Sequence, residues 1–156
     1  MAAPELPVIA AGELPSGERW TLRAGGTSDE FGTFLETIHP DGRRDEGGMA
    51  GPPLWPGSIM NVYTGGSDTG MRRIVVRADP RVARLRVQLG DGEHLGLPPL
   101  ATLPDPALAF FATLLPRTAA LDSITAVDSA GQNLEHQDLV RHEQAWQHFR
   151  RRTDGQ

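Results

Sequence analysis

The sequence predicts a mainly β protein, an antiparallel sandwich of about seven to nine strands with one C-terminal α-helix. Three observations lead there. The 18 Gly and 13 Pro in 156 residues favour short strands joined by tight turns over a helical bundle. Around position 85 the chain alternates, with Ala83, Leu85, Val87 and Leu89 on one side and Val82, Arg84, Arg86 and Gln88 on the other. A period of two with one apolar face marks a half-buried strand. After Leu134 the spacing turns helical, placing Leu139, His142, Trp146 and Phe149 on one stripe.

Composition narrows the chemistry. The chain is long enough for one domain with a core of its own. With 38% hydrophobic residues it is too apolar to be disordered. No cysteine is present, which removes disulfides, thiol catalysis and thiolate metal sites. All 15 basic residues are arginine, so neither a Schiff base nor a phosphate-loop lysine can form. Arginine in place of lysine, beside abundant Ala, Gly and Pro, suits a GC-rich bacterial genome. A formal charge of −5 argues against nucleic acid as a partner. No apolar run approaches the ~20 residues that span a bilayer, and Leu6 to Ala11, broken by Pro7, is too short for a signal peptide. A cytoplasmic protein without a membrane partner is expected.

Taken in order, residues 1–16 are Pro- and Ala-rich and read as an extended arm. A sandwich over residues 17–132 follows. Glu18 to Arg23 alternates around Trp20 and Leu22 and forms its first strand. Phe31 to Ile38 is the second, closed by the turn His39-Pro40-Asp41-Gly42. Residues 43–57 are so rich in Gly and Pro that no regular element is expected, and long irregular connections are where function tends to sit. Ser58 to Thr64 alternates again.

The central stretch, Met71 to Leu97, reads as an apolar run, an Asp79-Pro80 turn, the alternating strand, a Gly90-Asp91-Gly92 turn and a short return. A Pro-rich link covers residues 98–106. Ala107 to Leu115 is open to two readings. Asp105-Pro106 looks like a helix start, but Phe110-Phe111 and the stop at Pro116 suit an inner strand, which the sandwich needs here. Leu121 to Val127 is β-branched, and Gly131 in the turn after it is free to take a positive φ. The terminal helix is expected over residues 133–152, with Asn133 as N-cap, Glu135 and Asp138 in the first turns and Arg150, Arg151 and Arg152 in the last.

Ile74-Val75-Val76, Val82 to Leu89, Asp91-Gly92, Phe110-Phe111 with Leu115-Pro116, and Asp128 to Gly131 together form a pattern. It resembles uncharacterised actinobacterial β-sandwich domains across roughly residues 70–134. The resemblance implies an immunoglobulin-like sandwich. It implies no activity and carries over no functional residue.

Motifs for chemistry are weak. His136, His142 and His148 fall on the expected helix at spacings of six, which scatters them around the axis instead of converging them on a metal. Asp68-Thr69-Gly70 matches the triplet of aspartic proteases, but it follows Gly65-Gly66-Ser67 where those enzymes have an apolar strand, so a turn explains it better. Gly65-Gly66-Ser67-Asp68-Thr69 has Thr where a nucleophile elbow needs its second Gly. No catalytic residue, metal ligand or cofactor is expected.

Two surface features remain. Arg84 and Arg86 share the polar face of one strand, and Arg73 and Arg77 flank its neighbour. Four guanidinium groups on one sheet face would bind a carboxylate, a phosphate or an acidic partner; the plainer reading is a solvated face. Leu54-Trp55, between Pro53 and Pro56, either plugs an open end of the sandwich or anchors a partner. A non-enzymatic binding module is therefore expected, contacting a protein or a small anion through Leu54, Trp55, Arg73, Arg77, Arg84 and Arg86. The alternatives are a small hydrolase whose His, Asp and Ser residues (His39, His94, Ser67, Asp68) meet only in the fold, and a structural subunit paired through the terminal helix.

Overall fold

The computed structural model describes residues 6–67 and 70–154. Asp68 and Thr69, and with them the Asp-Thr-Gly triplet, lie outside the described residues. The chain is mainly antiparallel β with a single C-terminal helix, as the sequence predicts.

Among the described residues twelve strands form three four-stranded sheets, more than the seven to nine expected. Sheet A is a meander of β1 (Val8–Glu13), β2 (Arg19–Gly26), β3 (Phe31–Ile38) and β4 (Arg44–Gly51). Sheet B runs in the order β5 (Met60–Gly66), β6 (Arg72–Ala78), β10 (Ala107–Leu115) and β9 (Ala101–Pro104). Sheet C is ordered β12 (Asn133–Asp138), β11 (Leu121–Val127), β7 (Arg84–Leu89) and β8 (His94–Leu97). Helix α1 (Val140–Thr153) closes the chain.

Sheet B is the middle layer. On one side Val75, Leu108 and Phe110 pack against Leu22, Phe31 and Leu35 of sheet A. On the other Ile74, Val76 and Phe111 pack against Leu85, Val87 and Ile124 of sheet C. Every residue of β6 is consequently buried. A strand covered on both faces has no reason to alternate, which is why RRIVVRA reads as a plain apolar run between arginines. In β7 only the sheet-B side is covered, so Leu85 and Val87 are buried while Arg84 and Arg86 are exposed.

Local turn chemistry holds where it was read. Gly92 (φ 90°) and Gly131 (φ 84°) take positive φ in the β7–β8 and β11–β12 turns, which glycine does without a Cβ penalty. Asp91 and Asp128 accept hydrogen bonds from backbone N–H groups two residues on. Ala107–Leu115 is a strand, paired with β6 from Ala109 to Leu115.

Five expectations need correction. The strands on either side of Asp79-Pro80 are not neighbours in one sheet: β6 pairs with β5 and β10, while β7 pairs with β11 and β8. The turn instead carries the chain from sheet B to sheet C, and Val82, on the presumed polar side of the strand, is buried. The N-terminal arm contains β1, because pairing with β2 satisfies backbone groups that a free arm leaves to water.

Residues 43–57 contain β4, fully laddered to β3. Its glycines were read as breakers, but they make room: a Cβ on Gly47 would sit 2.5 Å from Tyr63 Oη and 2.7 Å from Arg73 Nη1. The Pro-rich link after residue 97 contains β9, paired with β10.

Finally, Asn133 to Asp138 is a strand and not the first turns of the helix. The open edge of β11 offers it a ladder, and that competes with weak helical spacing. Asn133 is therefore no N-cap. Leu139 stands at the helix N-terminus without a side-chain cap, fully buried in the core between sheets B and C. His136 leaves the helical set and its Nδ1 shares a hydrogen bond with Thr125 Oγ1. From Leu139 onward the stripe is as read: Trp146 is buried, His142 and Phe149 are half-buried, and α1 packs on the sandwich.

Candidate functional site

The four arginines do not share a face. Arg84 and Arg86 project from the outer surface of sheet C, where Arg86 Nη2 reaches Asn133 Oδ1 at 3.5 Å. Arg73 and Arg77 point from β6 into the interface of sheets A and B, both buried. The cause is the Asp79-Pro80 crossover, which puts β6 and β7 into different sheets.

Arg77 has a structural task. Its Nε donates to the carbonyl of Pro53 (2.7 Å) and its Nη2 to that of Pro52 (2.7 Å). Its Nη1 donates to Phe31 O and Thr33 Oγ1, both at 3.0 Å. The guanidinium also lies over the Phe31 ring, 5.3 Å from its centroid. Burial lowers its pKa to about 10, opposed by the charge of Glu30, so it is still a cation at neutral pH. Carbonyl dipoles take the place of a counter-ion.

The segment thus held is the one that carries Leu54 and Trp55. Asn61, at the inward start of β5, holds it a second time. Its Nδ2 donates to Pro53 O (3.1 Å) and its Oδ1 accepts from the Trp55 N–H (3.1 Å). Leu54 is half-buried and packs on the core between sheets A and B. Trp55 is 55% exposed, so it does not plug the sandwich. A clamped loop thus presents an open indole.

A third cluster lies at another end, between the β3–β4 and β5–β6 turns. His39 Nε2 donates to Asp45 Oδ2 at 2.5 Å, and Ser67 Oγ donates to the same oxygen at 3.1 Å. The His39 side chain is 6% exposed. Gly70 closes over the group, leaving no space for a Cβ between Ser67 Oγ and Asp45 Oδ2. His39 and Gly70 help line an open polar pocket of about 400 Å³, with Glu18, Arg43 and Arg117 around it. The cluster brings His39 and Ser67 together through Asp45, which the sequence reading had not singled out. His94, in β8, is exposed in another sheet. Its sequence signal was slight, since His39 and Asp45 flank a turn whose Pro-Asp-Gly composition explains itself. Because Ser67 binds the aspartate and not the imidazole, this is not the Ser-His-Asp order of a nucleophilic triad. It is an Asp-oriented histidine beside a pocket.

Among the described residues no group of three or more His, Asp or Glu could hold a metal ion, and no helix is long and apolar enough to cross a membrane. Family models, curated proteins and solved structures were compared with the chain, and none matches it.

Proposed function

We propose that this protein is a non-enzymatic binding module whose contact point is the Leu54–Trp55 loop, and that its partner is a protein with an apolar pocket. The single observation that supports this reading is an exposed Trp55 on a backbone immobilised by Arg77 and Asn61. A large rigid aromatic loses little entropy on binding, and tryptophan is enriched among residues that dominate interface energies. Arg84 and Arg86, on the open face of sheet C, are the second contact in this reading, for acidic groups. The immunoglobulin-like assignment belongs to the same proposal, supported by the eight strands of the facing sheets B and C. So do the actinobacterial source and the cytoplasmic setting.

The test is an affinity pull-down from the native host with wild type and Trp55→Ala. A partner lost from the variant supports the loop as the contact; an unchanged partner list removes it.

A second reading, a small hydrolase, is favoured by the His39–Asp45 pair at the polar pocket. There Asp45 orients the imidazole and the imidazole takes a proton from water. Hydrolysis of a panel of activated esters and phosphates, abolished in His39→Gln, would favour it; silence across the panel counts against it.

A further inference from the structure

Three sheets of four leave six edge strands among the described residues: β1 and β4, β5 and β9, β8 and β12. An unpaired edge invites another strand, and proteins blunt it with bulges, charge, proline or brevity. Five of the six are blunted in one of these ways. The register of β1 slips between Val8 and Ala10, and the β11–β12 ladder slips between Ala126 and Val127. Strand β4 carries Arg44, Asp45 and Glu46, while β8 and β9 have only four residues each, β9 ending in Pro104. Strand β5 is the exception. It runs for seven residues, MNVYTGG, without a charge, a proline or a register shift against β6.

Two bonds at its start fix which way its backbone groups turn. Ile59 O accepts from the Asp79 N–H, on the β6 side, whereas Met60 O accepts from Gln137 Nε2 of β12. An antiparallel strand turns successive residues to opposite sides. Asn61, Tyr63 and Gly65 therefore bond β6, while Val62, Thr64 and Gly66 turn their N–H and C=O groups outward. Among the described residues nothing bonds those outward groups. A groove of about 220 Å³ lies beside them, with Thr64, Gly65 and Gly66 on one wall and His142, Ala145 and Phe149 of α1 on the other. The glycines shape it. No Cβ fits on Gly65 beneath Tyr63, or on Gly66, where it would lie 2.7 Å from Trp146 Cη2. The two rings close on the strand from its opposite faces and leave the edge as the open side. Thr64 Oγ1 is taken by His142 Nδ1 at 2.8 Å, so its backbone is what the groove offers. No Asp, Glu or Arg lines the groove, in a chain with a formal charge of −5.

We propose that the β5 edge takes up an extended, uncharged peptide segment of a partner protein as a fifth strand of sheet B, with α1 as the far wall. The added strand pairs with the outward N–H and C=O groups of Val62, Thr64 and Gly66. Main-chain bonds of this kind give affinity, and the flanking slot selects the side chain. The uncharged wall sets the class of segment, because a charged side chain would lose its hydration there with nothing to meet it. The site is separate from the Trp55 loop and does not depend on it.

Amide hydrogen exchange of the full chain tests this, read residue by residue by NMR during titration with an acetylated, amidated pentapeptide of alternating valine and threonine. The pentapeptide is expected to bind with a dissociation constant on the order of 1 mM or tighter. Exchange should slow at Val62, Thr64 and Gly66 and stay as it was at Asn61, Tyr63 and Gly65. The same pentapeptide N-methylated at its internal amides should bind at least about tenfold more weakly. Thr64→Pro removes an outward N–H without touching the β6 ladder and should lose binding. Thr64→Val, which gives up only the bond to His142, should keep it. Absent binding would overturn the proposal, as would binding that leaves the three amides unprotected, equal affinity for the methylated peptide, full affinity in Thr64→Pro or lost affinity in Thr64→Val. Protection of the three amides by rising protein concentration alone would also overturn it, giving the edge to a second copy of the chain. Should Thr64→Pro fail to fold, the methylated peptide and the exchange pattern still decide.

Discussion

Arg72 Nη1 donates to Glu143 Oε1 at 2.7 Å, joining the fully buried first residue of β6 to the first turn of α1. The same nitrogen donates to the carbonyl of Ala119 (2.9 Å), and the guanidinium lies over the Trp146 ring, 5.1 Å from its centroid. Glu143 Oε1 also accepts from the Leu121 N–H at 2.9 Å. One carboxylate therefore ties sheet B, sheet C and the helix together.

Glu143→Ala should lower the unfolding free energy by about 3 kcal/mol or more, because a buried guanidinium is left unpaired. Replacing both partners with apolar residues, Arg72→Met with Glu143→Leu, should recover most of that loss. Denaturant unfolding of the single and double variants measures it; a double variant as unstable as Glu143→Ala would contradict the pairing.

The helix contact should also respond to pH, in two steps. His142, whose Nδ1 shares a hydrogen bond with Thr64 Oγ1, is held below its ordinary 6.5 by burial and by the charge of Arg72. The unfolded chain thus takes up this proton first, so stability falls as pH drops from 6.5 through the folded value. Glu143 behaves similarly lower down. Burial pushes it up, but hydrogen bonds from Leu121, Arg72 and Gln147 outweigh that and hold it below its ordinary 4.5. Its contribution is present above 4.5 and lost as pH falls further. Melting curves taken across this range should show the upper step vanish in His142→Gln and the lower one shrink in Glu143→Gln.

Arg77→Met should loosen the loop that carries Trp55 more than the rest of the molecule. It removes the charged donor from the carbonyls of Pro52 and Pro53, which keep only the Asn61 amide, and a hydrogen bond to a charged group contributes about 1.5–3 kcal/mol. Limited proteolysis should cut within residues 51–57 in the variant and spare them in wild type. Equal protection in both would show that Asn61 alone suffices.

Two tryptophans should part company. Trp55→Ala should change stability by no more than about 0.5 kcal/mol, as is usual for an exposed side chain. Trp146→Ala removes a buried ring stacked on Phe149 at 5.4 Å and should cost about 3–5 kcal/mol. A large loss in Trp55→Ala would mean that the indole supports the fold, which would undercut its role as a contact.

Strand periodicity was legible where apolar and polar residues alternate cleanly, as in β7, and so were the turns whose Asp and Gly residues act locally. The β4 strand was hidden because its glycines answer to Tyr63 and Arg73 across the interlayer, not to their own neighbours in sequence. The β12 strand was hidden because its ladder is supplied by β11. Of the six contact residues read from the sequence, Leu54 and Trp55 sit on one loop and Arg84 and Arg86 on one exposed face. Arg73 and Arg77 went inside, since in a strand covered on both sides every side chain is buried whatever its polarity.

The amino-acid order alone determines the class: a cysteine-free, lysine-free β protein with an amphipathic helix at its end, because period, turn chemistry and composition are properties of neighbouring residues. Only the tertiary structure decides that there are three layers, that the chain crosses sheets at Asp79-Pro80, that His39 meets Ser67 through Asp45, and that Arg73 Nε is buried without a partner among the described residues. Those outcomes depend on which surfaces meet, and residues far apart in sequence meet only after the layers have packed.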